Sequence, residues 1–311
     1  MKSCVIIIAY NGMRWINECL QSILNSSISA TIIVVDNCSS DSTVDHIKTN
    51  FSTVILLEQS ENLGFGRANN IAMAYALQAG MDYVFLLNQD AFVYKNSFAN
   101  LIHTAVQHPE YGILSPIQLG YSGDVLENYF FQFMAKDKSR SFYSDFVLKK
   151  QPKVVYDIAF IQAACWLLPV ASIKKVGGFD PIFFHYGEDN NYCQRILYHN
   201  LKIGVVSEAY IRHDANNHKE EKIKVFSEKY FHLYSRNLKV LFADINEELN
   251  EGALKYEKMK IYKVILFHFF KLNVSKVYGC LKKLKVLDET VTQILVSRKI
   301  NKAIDTHYLD V

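Results

Sequence analysis

The first 110 residues alternate between short apolar runs and segments with helical spacing, and this alternation restricts the fold more than any other feature. Four apolar runs lack the polar alternation of a half-exposed strand and are therefore predicted to be buried strands. They cover residues 4–9, 31–35, 54–57 and 83–87. Four segments carry apolar residues at helical spacing and are predicted to be helices. They cover residues 15–24, 42–51, 67–78 and 97–108, and polar residues 39–41 are expected to cap the second of them. The alternation of strands and helices predicts an α/β fold with a mostly parallel central sheet and helices on both faces.

The middle of the chain has a weaker pattern. Residues 120–151 are polar and aromatic without clear periodicity, and they are expected to form a long loop or a small excursion. Residues 158–170 and 203–206 have the composition of strands, and residues 188–200 have that of a helix.

From about residue 221 the sequence predicts helices to its end. Residues 221–311 hold 17 Lys or Arg against 11 Asp or Glu, a net charge of +6 in a chain whose total is +3. This shift in charge predicts two domains, one at 1–220 and a basic, aromatic helical segment at 221–311.

Composition and cysteine spacing exclude several classes of protein. The six cysteines are scattered without a Cys-x-x-Cys pair, which favours reduced core thiols over disulfides or a zinc site. The apolar run at the start is too short for a signal peptide, and no stretch reaches the roughly 18 apolar residues that span a bilayer. A cytoplasmic protein is expected, with a basic segment that reaches the inner face of the membrane.

Polar residues follow each of the four predicted strands. The first strand ends in Tyr10-Asn11, the second in Asp36-Asn37, and the fourth in Asn88-Gln89-Asp90, while the third leads to the glycine-rich segment 62–70. Ligands of open parallel sheets bind beyond the carboxyl ends of the strands, so these residues are predicted to form one site. A dehydrogenase would instead carry Gly-x-Gly-x-x-Gly after the first strand, and residues 9–14 lack it.

Each of these polar groups has a structural alternative. Asp36 suits a hydrogen bond from a base or ribose, but it would also cap the following segment. Gly64, Gly66 and Arg67 suit the approach of a phosphate at a helix start, or simply a glycine-rich turn. Asp90 suits a hard cation, or a turn.

Two further groups come later in the chain. Glu188 and Asp189 precede a predicted helix, where acids are also favoured by the helix dipole, yet one of them suits a general base. His213 follows the predicted strand 203–206 and is either structural or a metal ligand.

Taken together, the motifs resemble those of family 2 glycosyltransferases, in the branch of bacterial rhamnosyltransferases and galactofuranosyltransferases. The resemblance extends from residue 3 to about residue 215. The matching motifs are Ala9-Tyr10-Asn11, Val35-Asp36-Asn37-x-Ser39-x-Asp41, Asn62-x-Gly64-Phe65-Gly66-x-Ala68-Asn69-Asn70, Leu87-Asn88-x-Asp90 and Gly187-Glu188-Asp189. The resemblance implies a GT-A-type nucleotide-sugar-binding domain. It also implies nucleotide contacts from Tyr10, Asn11, Asp36, Arg67 and Asn70.

The resemblance further implies a divalent metal, Mn²⁺ or Mg²⁺, at the end of the fourth strand. Asn88-Gln89-Asp90 occupies the place of the family's Asp-x-Asp motif, so Asp90 is expected to carry the metal without a second acid from the motif. Asn88 is then expected to face the nucleotide, and His213 resembles the family's late histidine ligand.

On the acceptor side, Asp189 resembles the catalytic base of an inverting transferase. Trp166 falls where the family builds its acceptor wall, and Glu188 is expected beside it. The Gln-x-x-Arg-Trp motif of processive synthases is missing, because Arg195 is followed by Ile196-Leu197. The transfer of one or a few sugars from a nucleoside-diphosphate sugar is expected, in surface polysaccharide or lipid-linked oligosaccharide synthesis.

Two other functions remain open on sequence grounds, a nucleotidyltransferase and a non-catalytic nucleotide-sugar-binding protein. The expected partners are the sugar donor and a saccharide or lipid-linked acceptor, and no nucleic acid. Residues 255–285 hold nine lysines and one acid among several aromatic residues. This segment is expected to contact a membrane, to pack its aromatic face on the body, or to form a homodimer.

Overall fold

A computed structural model describes residues 1–135, 140–215 and 223–311. The chain divides into two units. One comprises Met1–Asn216 and Ile304–Val311, and the other comprises Asn217–Ala303. The domain boundary predicted at residue 220 lies outside the described residues.

The four predicted strands at the start of the chain form the parallel half of a nine-stranded sheet. They are β1 (Ser3–Ala9), β2 (Thr31–Asp36), β3 (Ile55–Glu58) and β4 (Tyr83–Asn88), in the spatial order β3-β2-β1-β4. The intervening helices are α1 (Ile16–Leu24), α2 (Thr43–Asn50), α3 (Phe65–Gln78) and α4 (Ser97–Gln107). All eight elements lie within two residues of their predicted bounds. Among the residues expected to cap α2, Asp41 accepts a hydrogen bond from the Thr43 amide at 3.0 Å, while the N-cap residue is Ser42, which makes no capping side-chain hydrogen bond.

Alternate residues of β1 point into two separate cores. Cys4 and Ile6 pack with α3 on one face, whereas Val5 and Ile7 pack with α1, α2 and α4 on the other. Because both faces are covered, the strand has no polar alternation. The predicted mostly parallel sheet with helices on both faces is confirmed.

The other half of the sheet was predicted less well. It contains β5 (Ala91–Val93), β6 (Tyr111–Gly120), β7 (Val155–Ile158), β8 (Cys165–Pro169) and β9 (Lys202–His213), in the order β8-β6-β9-β5 after β4, with β7 on β9. Strand β5 is too short to predict, and buried Ser115 and Gln118 interrupt the apolar pattern of β6. The run at 158–170 contains the end of β7 and all of β8, and the predicted strand at 203–206 is only part of β9.

Residues 120–151 are not a plain loop. They contain the short helices α5 (Asn128–Met134) and α6 (Arg140–Val147), and Phe130 contacts Phe142 between them. Glu127 caps α5 by accepting a hydrogen bond from the Phe130 amide at 2.8 Å. These helices were missed because each has only two turns, too few for a period to show.

Two helices follow the antiparallel strand β8. They are α7 (Val170–Val176) and α8 (Glu188–Tyr198), and α8 ends two residues before its predicted end. The second unit consists of α9 (Glu228–Phe242), α10 (Glu251–Phe270) and α11 (Val274–Asn301). None of the described helices is long and apolar enough to cross a membrane.

The prediction of helices to the end of the chain needs a correction. The last eight residues are not helical and belong to the first unit. The carbonyl oxygen of His307 accepts a hydrogen bond from the Gly178 amide at 3.0 Å. Arg195, which is fully buried, donates to the Gly178 carbonyl and lies 3.1 Å from Nε2 of His307.

The turn before α3 needs glycine for two reasons. Gly64 has φ of +78°, a left-handed conformation that costs other residues free energy. A Cβ atom added there would lie 2.0 Å from the backbone oxygen of Phe184. Gly64 was expected to let the backbone approach a ligand. Instead it lets the backbone approach another part of the chain, the segment that leads to α8.

We predict that Gly64→Ala lowers the free energy of unfolding by about 3 kcal/mol, from the backbone conformation and the clash together. The matched control is Gly80→Ala, since Gly80 has φ of +66° and nothing within 4 Å of its added Cβ. That variant should lose only about 1 kcal/mol. Urea denaturation of both variants measures the difference, and equal losses would show that Phe184 moves away without cost.

Candidate functional site

The ends of β1 and β4 are held together by one side chain. Oε1 of Gln89 accepts a hydrogen bond from the Tyr10 amide at 3.0 Å, and its Nε2 donates to the Tyr10 carbonyl at 3.1 Å. The Tyr10 ring stays exposed and offers a face for stacking. These two hydrogen bonds hold Asn88 and Asp90, the neighbours of Gln89, beside Tyr10. The only sequence signal for this role is that Gln89 lies between the two motif residues.

At the end of β2, the carboxylate of Asp36 is buried, and one of its two oxygens accepts a hydrogen bond. Its Oδ2 accepts a hydrogen bond from the Ser39 amide at 3.0 Å, which stabilises the turn after β2 but does not cap α2, since that helix begins only at Thr43. Its Oδ1 is buried with no hydrogen-bond partner among the described residues. A buried carboxylate oxygen is costly to leave unpaired, so Oδ1 is available to a ligand donor.

Asn11 and Asn37 use their side chains to shape the neighbouring loops. Oδ1 of Asn11 accepts hydrogen bonds from the amides of Ser40 and Asp41. Oδ1 of Asn37 accepts one from the Leu63 amide at 2.8 Å. The side-chain oxygen of Asn11 thus already supports the turn after β2, and any nucleotide contact of Asn11 is left to its other atoms.

Arg67 and Asn70, at the start of α3, both face the segment before α8. Asn70 is buried and pairs with the backbone of Phe179 in both directions, at 2.8 and 2.6 Å. Arg67 is exposed and donates a long hydrogen bond of 3.5 Å to the carbonyl of Pro181. Asn70 therefore holds the chain that leads to α8, whereas the guanidinium of Arg67 is accessible to an anion.

The structure brings together Asp90 and His213, which lie far apart in the sequence. Strand β5 pairs antiparallel with the end of β9, where Ala91 is opposite His213. Nε2 of His213 consequently lies 3.4 Å from Oδ1 of Asp90. Asp214, the next residue, accepts hydrogen bonds from Arg14 and from the Trp15 indole, which fastens the loop after β1 to this point.

The chemistry of this pair fits a divalent cation that is shared with a substrate. A carboxylate oxygen and an imidazole nitrogen are ordinary ligands for such ions. The described residues contain no group of three or more His, Cys, Asp or Glu placed to hold a metal. The described part of the chain thus offers two ligands here, and a cation that binds through one or two side chains completes its shell with substrate phosphates and water.

The acids at the start of α8 differ in their surroundings. Glu188 is buried against Gly66, whose added Cβ would lie 3.7 Å from its own Cβ. Asp189 is only partly buried, but desolvation raises the pKa of its carboxyl from 3.8 to about 6, against the opposing effect of backbone hydrogen bonds. Of the two acids, Asp189 is thus the one that reaches the surface, and its carboxylate is more basic than that of an ordinary aspartate.

Trp166 lies behind the site rather than in its wall. It is 0% exposed, on β8 opposite Leu86, and its ring stacks on Phe179 at 6.2 Å. An acceptor has no surface of Trp166 to contact in this structure, in contrast to the expectation. Its large apolar ring supports the segment before α8 from beneath.

The comparisons with known proteins agree with this geometry. The model of the family described as Glycosyl transferase family 2 matches residues 4–177. A low-salt glycan biosynthesis hexosyltransferase of Haloferax volcanii is 25% identical over 206 residues. The match covers 64% of this chain and 63% of that relative, so it spans less than two thirds of the relative's length.

Solved glycosyltransferase structures share the fold at low identity. Staphylococcus aureus TarS 1–349 in complex with UDP-GlcNAc has a TM-score of 0.55 at 14% identity, covering 97% of this chain and 90% of that one. A mannosyltransferase of Pyrobaculum calidifontis with GDP-Man and Mn²⁺ has a TM-score of 0.54 at 15% identity, covering 95% and 75%. GalNAc-T7 with UDP, GalNAc and Mn²⁺ has a TM-score of 0.58 at 14% identity, and the match covers 78% of this chain and 47% of that one. The fold of this chain is GT-A-like.

We predict that Asp189→Asn stabilises the protein at pH 7.5. The pKa of Asp189 is higher in the folded than in the unfolded state, so the carboxylate destabilises the fold increasingly as the pH rises from about 4 to 6. Removing the charge should raise the free energy of unfolding by about 2 kcal/mol at pH 7.5 and by almost nothing at pH 4.

Asp41→Asn provides a control of opposite sign. Desolvation raises the pKa of Asp41, but hydrogen bonds from Thr43 and from backbone amides outweigh it and lower that pKa. Asp41→Asn should therefore destabilise the protein at pH 7.5. Denaturant titrations at both pH values measure these changes, and a destabilising Asp189→Asn at pH 7.5 would contradict the raised pKa.

Proposed function

The chain belongs to Glycosyl transferase family 2, and from this we propose that it is a metal-dependent, inverting glycosyltransferase that moves a sugar from a nucleoside-diphosphate sugar to an acceptor hydroxyl. The observation that carries the proposal is the pair of Asp90 and His213 at 3.4 Å. The pair lies at the carboxyl edge of the parallel strands, where a diphosphate would bring the missing metal ligands.

The donor's nucleotide would lie across the end of β1. Asp36 and Asn88 sit on the two strands that flank β1, separated by two strand spacings or about 10 Å. The free Oδ1 of Asp36 would accept a hydrogen bond from the base or ribose, while the exposed Tyr10 ring would stack on the base. Similar structures hold UDP-GlcNAc and GDP-Man, which supports a nucleotide-sugar donor.

The diphosphate would reach Asp90 and His213. A bound Mn²⁺ or Mg²⁺ supplies Lewis-acid stabilisation of the leaving diphosphate. Two of the similar structures contain Mn²⁺, which supports a divalent cation. Arg67, exposed at the start of α3, would provide a positive charge for the phosphates. Asn11 and Asn70 would contribute to nucleotide binding mainly indirectly, because their side chains hold the loops around the site in place.

Asp189 would take the acceptor's proton. The acceptor oxygen attacks the anomeric carbon from the face opposite the nucleotide, the bond to the diphosphate oxygen breaks, and the hydroxyl proton passes to the Asp189 carboxylate. A pKa of about 6 leaves the carboxylate mostly ionised at pH 7 and more basic than an ordinary aspartate. Glu188, buried against α3, would hold the start of α8 beside the acceptor.

The acceptor side of the proposal is a saccharide or a lipid-linked saccharide in surface glycan synthesis. The named role of the Haloferax relative, low-salt glycan biosynthesis, supports this class of product. The rhamnosyltransferase-like or galactofuranosyltransferase-like branch and the cytoplasmic location are further parts of the proposal, and both rest on the sequence motifs alone.

We predict that Asp90→Ala lowers turnover by about 10²-fold or more, because the variant removes one of the two ligands that the described residues offer to the cation. Asp45→Ala, an exposed acid on α2, is the control and should keep wild-type turnover. Nucleoside diphosphate release from candidate donors measures turnover, with and without a chelator. Normal turnover of Asp90→Ala, or no effect of the chelator, would exclude the metal assignment.

We predict that Asp189→Asn lowers turnover by about 10²–10⁴-fold while donor affinity stays near wild type. The kcat/KM of the wild type should rise with pH through about 6, the pKa of the free enzyme's base, and the residual activity of the variant should not. Glu188→Gln is the comparison and should retain the pH dependence. If Asp189→Asn loses donor binding and turnover in equal proportion, Asp189 is not the base.

A further inference from the structure

The loop between α10 and α11 exposes an unusual concentration of large apolar side chains. We define the hairpin tip as residues 266–274, the end of α10, the turn and the first residue of α11. Six of its nine residues are large, apolar and more than half exposed. They are Leu266 (56%), Phe267 (53%), Phe269 (63%), Phe270 (80%), Leu272 (87%) and Val274 (78%).

The apolar side chains of the hairpin tip that lie on α10 spread over a broad arc of about 160° around the helix. Successive residues of a helix are turned by about 100°, so Phe267, Phe269 and Phe270 cannot share one narrow face. A helix that packs on a protein body exposes a polar face and buries an apolar one. Here the aromatic rings themselves are exposed, which differs from a helix that packs its aromatic face on the body.

Lysines surround the hairpin tip without nearby acids. Between Lys258 and Leu287 the chain has eight lysines and no aspartate or glutamate. The ammonium group of Lys271 lies 4.3 Å from the centre of the Phe267 ring, so charge and apolar surface meet at the tip. Farther along α10, Lys260 lies 4.4 Å from the centre of the Tyr256 ring in the same way.

We infer that the hairpin tip inserts into an anionic membrane surface. The phenylalanine and leucine side chains would enter the boundary between headgroups and acyl chains, and the lysines would contact lipid phosphates. None of the described helices can span a membrane, so the attachment would be peripheral. This inference rests on residues of the second unit alone, so it can fail while the proposed catalytic function holds.

A second copy of the chain fits the hairpin tip less well than a membrane does. In a two-fold dimer the same patch meets itself, so the tip of each copy would face the other's lysines. Lys258, Lys283 and Lys285 already pair with the flanking acids Asp288, Glu257 and Glu289. Residues 258–287 contain no acid, so the lysines nearest the tip, Lys263, Lys271 and Lys276, would find no neutralising acid within the same patch of a second copy. Anionic lipid supplies both the apolar phase and the negative charge that this surface lacks.

Vesicle co-sedimentation of the full chain tests the inference. The variant Phe269→Ser/Phe270→Ser removes apolar surface from the tip without altering charge. Its control is Val147→Ser/Leu148→Ser, two apolar residues of the first unit that are 76% and 62% exposed. The tip variant should bind phosphatidylglycerol-containing vesicles at least about tenfold more weakly than the wild type, and the control should bind equally well.

The lysines are tested with Lys271→Glu/Lys276→Glu. This variant should lose binding to the same vesicles, and wild-type binding should fall with salt and on pure phosphatidylcholine. Light scattering after size exclusion accompanies each variant. The inference is overturned if the wild type does not sediment with the vesicles or if the tip variant sediments like the wild type. It is also overturned if the tip mutations convert a dimer to a monomer, since the patch would then bind a second copy.

Discussion

The backbone pairing between β5 and the end of β9 brings Asp90 and His213, the two proposed metal ligands, to one place. Asp90 follows β4 on the parallel side of the sheet, and His213 ends a strand from the opposite half. The ladder that sets Ala91 opposite His213 brings the two side chains to 3.4 Å. Asp214 reinforces the junction by binding Arg14 and Trp15 from the loop after β1. The edge formed by β1, β2 and β4, where we propose that the nucleotide binds, therefore meets His213 only because the second half of the sheet pairs β9 with β5.

A second constraint is the packing of the segment before α8 against the start of α3. Gly64 lets the Phe184 backbone approach, and Asn70 binds the Phe179 backbone in both directions. Trp166 supports the same segment from the core. This packing buries Glu188 and leaves Asp189 partly buried with a raised pKa. The site thus holds an acid that costs stability when ionised, which is common where a group serves chemistry rather than folding.

The parallel half of the fold could be predicted from sequence because its strands are covered on both faces and its helices have full turns. The same reasoning placed polar groups at the strand ends, and the structure shows Asp36 with an unpaired buried oxygen and Asp90 beside His213. The other half, in which parallel and antiparallel pairs are mixed, could not be predicted, since β5 has three residues and β6 buries polar side chains. Gln89, Asp214 and the two-sided use of Asn70 depend on long-range contacts, for which local spacing carries no signal. The burial of Trp166 likewise follows from its position on an inner strand.

The central claim is that Asp90 and His213 bind a divalent cation together with the donor's diphosphate. If so, the cation and the nucleotide must strengthen each other's binding through these side chains. Isothermal titration with UDP, TDP and GDP, each with and without Mn²⁺, measures this coupling in the wild type and in Asp90→Ala. We expect Mn²⁺ to tighten the binding of at least one nucleotide to the wild type, and we expect most of this gain in affinity to be lost in Asp90→Ala. An equal gain in both proteins, or none with any nucleotide in the wild type, would contradict it.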